Sequence, residues 1–456
     1  MLFRSTSWLW ASTGMLKRQW SVEAPKPCTS KIAGASAAAS VPSGPFRRLW
    51  TARTISVLGS AVTPVALAFG VLDLPGAGPK DLGLVLTLES AASLVTILLG
   101  GVLGDRFPRT RMLMVSEAIA GLSVGAIAVL FILGTATVPI VAALGFLGGA
   151  AAGLVFPILA GLVPETAPED RLQSANAFMR LSQATSQIVG YAVAGLLVAS
   201  IGSGWTLTID AISFFVAVGI VAGIPAKARE RGPVSHVFRE LREGWRSFRS
   251  FDWIWGTTLA ATIWVAAFQA SFGVLGPVVA KAELGGARGW SIVLAGFSLG
   301  GVLGTFVVAR IRPRRPMVLA ALLFQGGTLF TLMLAVPFSV PMMALAGAVL
   351  GVTFSVITVL WDTLLQVHVP PELLARVYSY DFLGSTAAIP IGTAIIGTLA
   401  SNYGAREVLV GAAALQGLAG LVPLLVRGVW KVGLEKAEGP ATPSDGTDRS
   451  AADASR

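Results

Sequence analysis

Three short stretches of this 456-residue chain recur about 200 residues further along, and each lies inside a hydrophobic segment. The repeated pairs are LGGVLG at 99–104 and 299–304, G-x3-G-x2-F at 149–156 and 347–354, and G-x6-G at 195–202 and 397–404. Two similar halves with motifs at matching depths are the sequence signature of secondary transporters, in which the halves enclose one central site. We therefore expect a duplicated membrane protein.

The composition places the chain in a lipid bilayer. Hydrophobic residues make up 54% of it and charged residues only 13%, whereas a soluble domain carries about 25% charged residues. A helix needs about 20 apolar residues to cross the hydrocarbon core. Twelve such segments are predicted, at 48–72, 82–104, 112–133, 137–163, 174–201, 205–225, 253–279, 289–310, 316–337, 340–366, 377–401 and 405–427. The prediction is an all-α integral membrane protein of twelve transmembrane helices in two pseudo-symmetric six-helix halves.

Five segments follow from this pattern. A disordered cytoplasmic extension at 1–45 precedes the first half at 46–225, and a disordered tail at 428–456 follows the second half at 253–427. The highly charged stretch 226–252 joins the halves and is typical of a solvated amphipathic helix. A helix lying on the membrane surface is the alternative for this linker.

The positions of the basic residues predict the orientation. If the N-terminus is cytoplasmic, the outer loops hold only Lys80, Lys281, Arg288 and Arg406, and the other 30 of 34 Lys and Arg lie on the inner side or in the tails. Because basic loops stay in the cytoplasm, we expect both termini there, in the cell membrane of a bacterium. The net charge of +10 then reflects topology rather than nucleic-acid binding.

Residue types that carry enzymatic chemistry are scarce. His236 and His368 are the only histidines and Cys28 is the only cysteine, which leaves no His/Cys metal cluster and no intrachain disulfide. The sequence also lacks the G-x4-G-K-[ST] phosphate loop that ATP hydrolysis would require. We expect neither an enzyme nor a protein that needs a metal or cofactor.

The loop between the second and third helices combines Gly101 and Asp105 with Arg106 and Arg109. An acid there can lie at the positive N-terminal end of another helix or pair with a nearby arginine. Such contacts, made in one conformation and broken in another, would form a latch between the halves. The alternative is a simple orientation signal of basic residues.

This loop resembles the hallmark G-x-L-a-D-r-x-G-r-k of the major facilitator superfamily. The matching positions are Gly101, Leu103, Asp105, Arg106 and Arg109. The chain departs from the pattern at Pro108 and Thr110, and the resemblance covers about 48–427. It implies two rocking halves, with Asp105 capping the start of the eleventh helix on the cytoplasmic side.

Other stretches are similar to the drug-efflux branch of that family, which includes macrolide and enterobactin-type siderophore exporters. They lie at 46–50, 56–59, 172–178 and 209–214. The antiporter motif of the fifth helix, G-P-x-x-G-G, keeps Gly190 and Gly195 but has Tyr191 and Ala194 at two other positions. The resemblance thus implies efflux, by a coupling mechanism that the degraded motif does not specify.

Two acids inside predicted helices are candidates for proton coupling. A charge at mid-membrane costs about 2.5–3.5 kcal/mol on insertion scales, so each acid needs a partner, water or a proton. Glu89 is the better candidate, and the alternative is a carboxylate that lines a wet crevice without titrating. Asp210 either couples protons or makes a structural hydrogen bond. Arg53 either extends to the lipid headgroups or neutralises an acid such as Glu117 or an anionic substrate.

Polar and aromatic residues inside the helices are candidates for lining a central cavity: Gln187, Trp264, Phe268, Gln269 and Gln325. A mostly apolar cavity with a few polar points would suit an amphiphilic organic molecule. Core packing is the alternative for each of these residues. The G-x3-G pairs of the repeats predict closely packed helices.

Together these features predict a secondary active transporter. The expected activity is proton-coupled antiport that exports a small organic compound, namely a drug, antibiotic or siderophore, with a role in multidrug resistance. The expected partners are this substrate, protons and the lipid bilayer, and the expected state is a monomer. An importer or symporter on the same fold, and a scaffold or receptor that transports nothing, are the alternatives.

Overall fold

The computed structural model describes residues 44–225, 245–246 and 248–434, without the side chains at 101–102, 104–105, 372 and 375. The predicted extension 1–45 lies almost wholly outside the described residues. Most of the predicted linker 226–252 and the end of the predicted tail 428–456 lie outside them as well.

Within the described residues the chain is helical and contains no β-strand. The transmembrane helices, called spans 1 to 12 below, are Gly44–Leu72, Pro79–Arg106, Arg109–Leu133, Val138–Thr166, 172–201, 203–221, Asp252–Glu283, Ala287–Val308, Pro316–Ala335, Val340–His368, Arg376–Tyr403 and Ala405–Leu425. The predicted all-α fold with two six-helix halves is confirmed. A short 3-10 turn, Arg427–Trp430, buries Val429, so the packed chain extends past the predicted boundary at 427.

Spans 5 and 6 follow each other along Leu172–Val221 with a sharp turn between them instead of a loop. A straight helix of these 50 residues would be about 75 Å long, far more than the roughly 30 Å thickness of the hydrocarbon core. The chain must therefore turn back between the two spans. Gly202 breaks the helix with φ +83°, a left-handed conformation that favours glycine. Gly404 has φ +97° between spans 11 and 12. The second glycine of the repeated G-x6-G motif therefore makes the same turn in each half.

The two ends of the bundle differ in charge. Arg106, Arg109 and Arg111 lie where spans 2 and 3 meet, and Arg310 lies after span 8. We call this the basic end and the opposite one the far end. Within each half short loops or turns join the spans, so successive spans there run in opposite directions between these two ends.

Several spans are irregular near their middle. Span 1 is interrupted between Ser60 and Thr63, just before Pro64. In span 7 a π-helical turn, Ser271–Leu275, precedes Pro277. Proline removes a backbone hydrogen bond and clashes with the preceding turn, so helices bend at such places. These bends lie beside the cavities described below.

Glycines bring equivalent spans into backbone contact in both halves. A Cβ on Gly149 of span 4 would overlap the carbonyl oxygen of Glu89 in span 2. Its repeat partner, Gly347 of span 10, faces the carbonyl oxygen of Val293 in span 8 in the same way. The close approach predicted from the G-x3-G pairs is confirmed, and Val293 makes the backbone contact in the second half that Glu89 makes in the first.

The halves meet at the far end through a second pair of equivalent contacts. Gly195 of span 5 lies against the carbonyl oxygen of Ala287 in span 8. Gly397 of span 11 lies against the carbonyl oxygen of Pro79 in span 2. The first glycine of the G-x6-G repeat is therefore the point where one half touches the other.

Adjacent glycines of the repeated LGGVLG motif provide a matched test of this packing. A Cβ at Gly300 would overlap the carbonyl oxygen of Ala348, whereas a Cβ at Gly301 would meet no atom within 4 Å. We expect Gly300→Ala to destabilise the protein by about 1–3 kcal/mol, as overpacking does, and Gly301→Ala to leave it unchanged. Thermal unfolding of the detergent-solubilised variants measures the difference. Equal unfolding temperatures would contradict this packing.

Candidate functional site

A cavity of about 480 Å³ lies inside the first half, and all six of its spans line it. Its charged lining residues are Arg53, Glu89, Glu117 and Asp210. Its other polar lining residues include Ser56, Ser60, Thr63, Gln183, Gln187 and Tyr191. We call it the polar cavity. Carboxylates dominate the charge of its described lining.

Arg53 and Glu117 form an ion pair across spans 1 and 3. The Ser56 hydroxyl donates a second hydrogen bond to Glu117, at 2.7 Å. Glu117 is 1% exposed and Arg53 is 15% exposed, so bulk water screens this pair little. Of the alternatives left open for Arg53, the structure supports neutralisation of Glu117.

Asp210 is held by hydroxyl groups. Thr63 donates to it at 2.5 Å, Ser60 at 3.2 Å and Ser213 at 3.3 Å. Three donors satisfy much of the hydrogen-bonding capacity of the carboxylate and connect span 6 to the bend in span 1. This arrangement supports the structural alternative for Asp210.

Glu89 differs from the other two acids. It lines the polar cavity, yet among the described residues no hydrogen bond or ion pair reaches its carboxylate. Its backbone is fixed by the contact between its carbonyl oxygen and Gly149. An ionised carboxylate away from bulk water is costly without a partner. Glu89 is therefore the acid of this cavity that is free to take a proton, water or a cationic ligand.

A second cavity, also about 480 Å³, lies mainly in the other half, among spans 7, 8, 10 and 11. We call it the aromatic cavity, after its lining residues Trp264, Phe268, Phe272, Trp290, Phe297 and Phe354. Ring centroids are 5.0 Å apart between Trp264 and Phe268, 5.4 Å between Phe268 and Phe272, and 5.6 Å between Phe272 and Phe297. None of the described lining residues is charged.

The two cavities adjoin where the halves meet. Pro64 of span 1 and Tyr191 of span 5 line both of them. The bend at Pro64 also places Thr63 on Asp210. A ligand at this junction would touch a polar surface on one side and aromatic rings on the other.

The sequence model of the Major Facilitator Superfamily matches residues 49–393. The chain belongs to this superfamily. It is 25% identical over 359 residues to the enterobactin exporter EntS of Escherichia coli O1:K1 / APEC, an alignment that covers 78% of this chain and 85% of that protein. The protein is thus a multi-pass membrane transporter of the major facilitator type.

Solved structures share the fold at low sequence identity. The nucleoside transporter NupG has a TM-score of 0.68 at 12% identity and covers 84% of this chain and 99% of its own. A bacterial homolog of the human lysosomal transporter Spinster, in an inward-facing and unoccupied conformation, has a TM-score of 0.63 at 13% identity. It covers 85% of this chain and 98% of its own.

In this major facilitator protein, four of the five predicted cavity residues line a cavity. Gln187 lines the polar cavity, and Trp264, Phe268 and Gln269 line the aromatic one. Gln325 is not among the lining residues of either cavity. Its amide donates to the carbonyl oxygen of Gly417 at 3.3 Å and so joins span 9 to span 12, which supports the packing alternative for this residue.

The predicted latch is only partly described. Arg109 pairs with Glu165 at 2.7 Å, a contact within the first half between the start of span 3 and the end of span 4. Arg106 is exposed. The side chain of Asp105 and the surroundings of Gly101 lie outside the described part of the structure, so a latch between the halves stays a prediction.

Two polar features were missed by sequence reasoning. Asp381, buried in span 11, accepts hydrogen bonds from Thr258 at 2.6 Å and Trp361 at 2.8 Å. An acid inside a predicted span was the available signal. At the far end Lys281 of span 7 pairs with Asp73, the residue after span 1, at 2.7 Å, which joins the two halves.

The Arg53–Glu117 pair gives a test of the polar cavity. We expect Arg53→Gln and Glu117→Gln each to cost about 3–5 kcal/mol of stability, because each leaves the other charge buried without a partner. The double variant should cost less than the sum. Thermal unfolding of the purified variants measures all three losses of stability. The exposed pair Lys281–Asp73 is the control, because Asp73→Asn should cost no more than about 1 kcal/mol. Strictly additive losses at Arg53 and Glu117 would contradict the pairing.

Proposed function

We propose that this protein exports a small organic compound in exchange for protons, by alternating access to one central site. The observation that carries the proposal is Glu89, an acid with no partner among the described residues, in a cavity beside the junction of the two halves. The name of the EntS relative supports export as the direction. Drugs, antibiotics and siderophores are the proposed cargo.

The contacts at the far end support a conformation closed on that side. The backbone amide of Lys80 donates to Ser401 at 3.1 Å, and the hydroxyls of Thr87 and Thr393 are 2.9 Å apart. These bonds and the two glycine contacts all join one half to the other. With the basic end in the cytoplasm, as the loop charges predict, the cavities would receive cargo from inside the cell.

Coupling follows from the chemistry of one carboxylate. Glu89 binds either a proton or the cargo, so loading one displaces the other. For an uncharged solute, a proton that enters along a potential of about 100 mV supplies about 2.3 kcal/mol, enough for a roughly 50-fold gradient. For a cation exchanged one for one with a proton the charges cancel, and the pH difference alone drives export, by about tenfold per pH unit. Outward opening would break the far-end contacts and bring the basic ends of the halves together, where Asp105 would latch span 2 to the start of span 11.

Glu89→Gln separates coupling from movement. We expect this variant to lose proton-driven transport and to keep downhill exchange of cargo only at high cargo concentration, because the cavity remains but the carboxylate that binds either a proton or the cargo is gone. In inverted membrane vesicles, the release of a preformed pH gradient on addition of candidate compounds measures coupling. Glu283→Gln, an exposed acid at the end of span 7, is the matched control. Full pH-gradient release by Glu89→Gln would exclude this residue as the proton carrier.

A crosslink at the far end tests alternating access. In a Cys28→Ser background, Thr87→Cys with Thr393→Cys should form a disulfide after a small side-chain shift, because their hydroxyl oxygens are 2.9 Å apart. We expect oxidation to stop transport and reduction to restore it, since the bond would hold the far end closed. Each single cysteine variant is the control. Undiminished transport by fully crosslinked protein would refute the proposed cycle.

A further inference from the structure

We propose that the joined cavities select an organic cation that carries aromatic rings, with its positive charge at Glu89 and its rings in the aromatic cavity. The inference names the substrate class of the proposed transport site and rests on that function for its physiological role. The binding chemistry itself can be tested without transport.

The charges of the polar cavity favour a cation. Its described lining holds three carboxylates and a single guanidinium. Arg53 is committed to Glu117, and hydroxyl groups hold Asp210. An anionic ligand would find no free positive charge among the described lining residues, and it would face excess negative charge where water screens poorly. A cation would supply the partner that Glu89 lacks.

The aromatic cavity favours the same class of ligand. Aromatic faces carry partial negative charge, so they attract cations as well as other rings. Phe272 is central to the array, with centroid distances of 5.2 Å to Trp290, 5.4 Å to Phe268 and 5.6 Å to Phe297. The described lining includes no charged group, so this cavity offers rings and apolar surface rather than a counter-ion.

The division between the halves indicates the form of the ligand. Each cavity is about 480 Å³, within the usual size of a small-molecule site. Because Pro64 and Tyr191 line both, the cavities are neighbours, and we place a single molecule across both. A ligand with a charge at one side and rings at the other would then bind both halves at once.

Three probes of similar size separate charge from aromaticity. Tetraphenylphosphonium is an aromatic cation, tetraphenylborate has nearly the same shape with a negative charge, and tetrabutylammonium is a cation without rings. Binding of each to the purified full-length protein in lipid nanodiscs is measured by calorimetry, with empty nanodiscs correcting for partition into lipid. We expect tetraphenylphosphonium to bind at least tenfold more tightly than either other probe, a difference of about 1.4 kcal/mol.

Variants locate the two parts of the site. Glu89→Gln should weaken tetraphenylphosphonium at least tenfold and leave tetraphenylborate no weaker. Phe272→Leu should weaken tetraphenylphosphonium, and Phe272→Tyr should restore it. The matched controls are Glu283→Gln and Phe306→Leu, which alter an exposed acid and an exposed ring outside the cavities.

The outcomes distinguish this inference from the proposed function. Equal or tighter binding of tetraphenylborate by the unaltered protein would overturn the cation preference, whether or not any variant folds. Proton-driven export of a compound without tetraphenylphosphonium binding would overturn the inference and leave the proposed function in place. Selective tetraphenylphosphonium binding that depends on Glu89, without proton-coupled export of any compound, would support the inference and refute the proposed function.

Discussion

The contact between Gly149 and the backbone of Glu89 connects the fold to its chemistry. Helices in lipid gain little from hiding apolar surface, because the surrounding chains are as apolar as the interface. Their association depends on how closely the backbones approach, and glycine allows the closest approach. In span 4 the glycine that allows this approach is Gly149, and it lies against the backbone of Glu89. The packing that holds spans 2 and 4 together therefore also fixes the backbone from which an unpaired carboxylate enters the cavity.

The second half repeats the scaffold without repeating the chemistry. Gly347 makes the contact that Gly149 makes, but its partner is the apolar Val293 rather than an acid. Duplication constrains the glycines, since each half must pack and turn in the same way. Lining residues carry no such constraint and are free to diverge. One half has thus gathered acids and hydroxyl groups around its cavity, while the other has gathered aromatic rings. In the proposed cycle the repeated glycines serve the movement of the two halves, and their unlike linings serve the binding of the ligand.

The sequence predicted the helices well because crossing a bilayer leaves a strong signal. Long apolar segments and the G-x6-G repeats, with turns at Gly202 and Gly404, determined the order of the spans. The site was harder to predict. Every face of a membrane helix is apolar, so periodicity does not reveal which face meets a cavity. For this reason the sequence left packing open for Gln325, whose amide donates to the backbone of span 12. The acid that pairs with Arg53 is 64 residues away in the chain, so the sequence could name Glu117 only as one possible partner.

The hydrogen bonds of the polar cavity explain why one acid there is suited to coupling. A carboxylate that already accepts several protein donors gains little from a ligand and loses those bonds if it takes a proton. Asp210 and Glu117 are in that position, so they contribute to the shape and the field of the cavity. Glu89 gains a partner from any species that neutralises it, whether a proton or a cation. Competition between two such species at one atom requires no signal passed through the protein. Alternating exposure of that atom to the two sides of the membrane is then sufficient to link their fluxes.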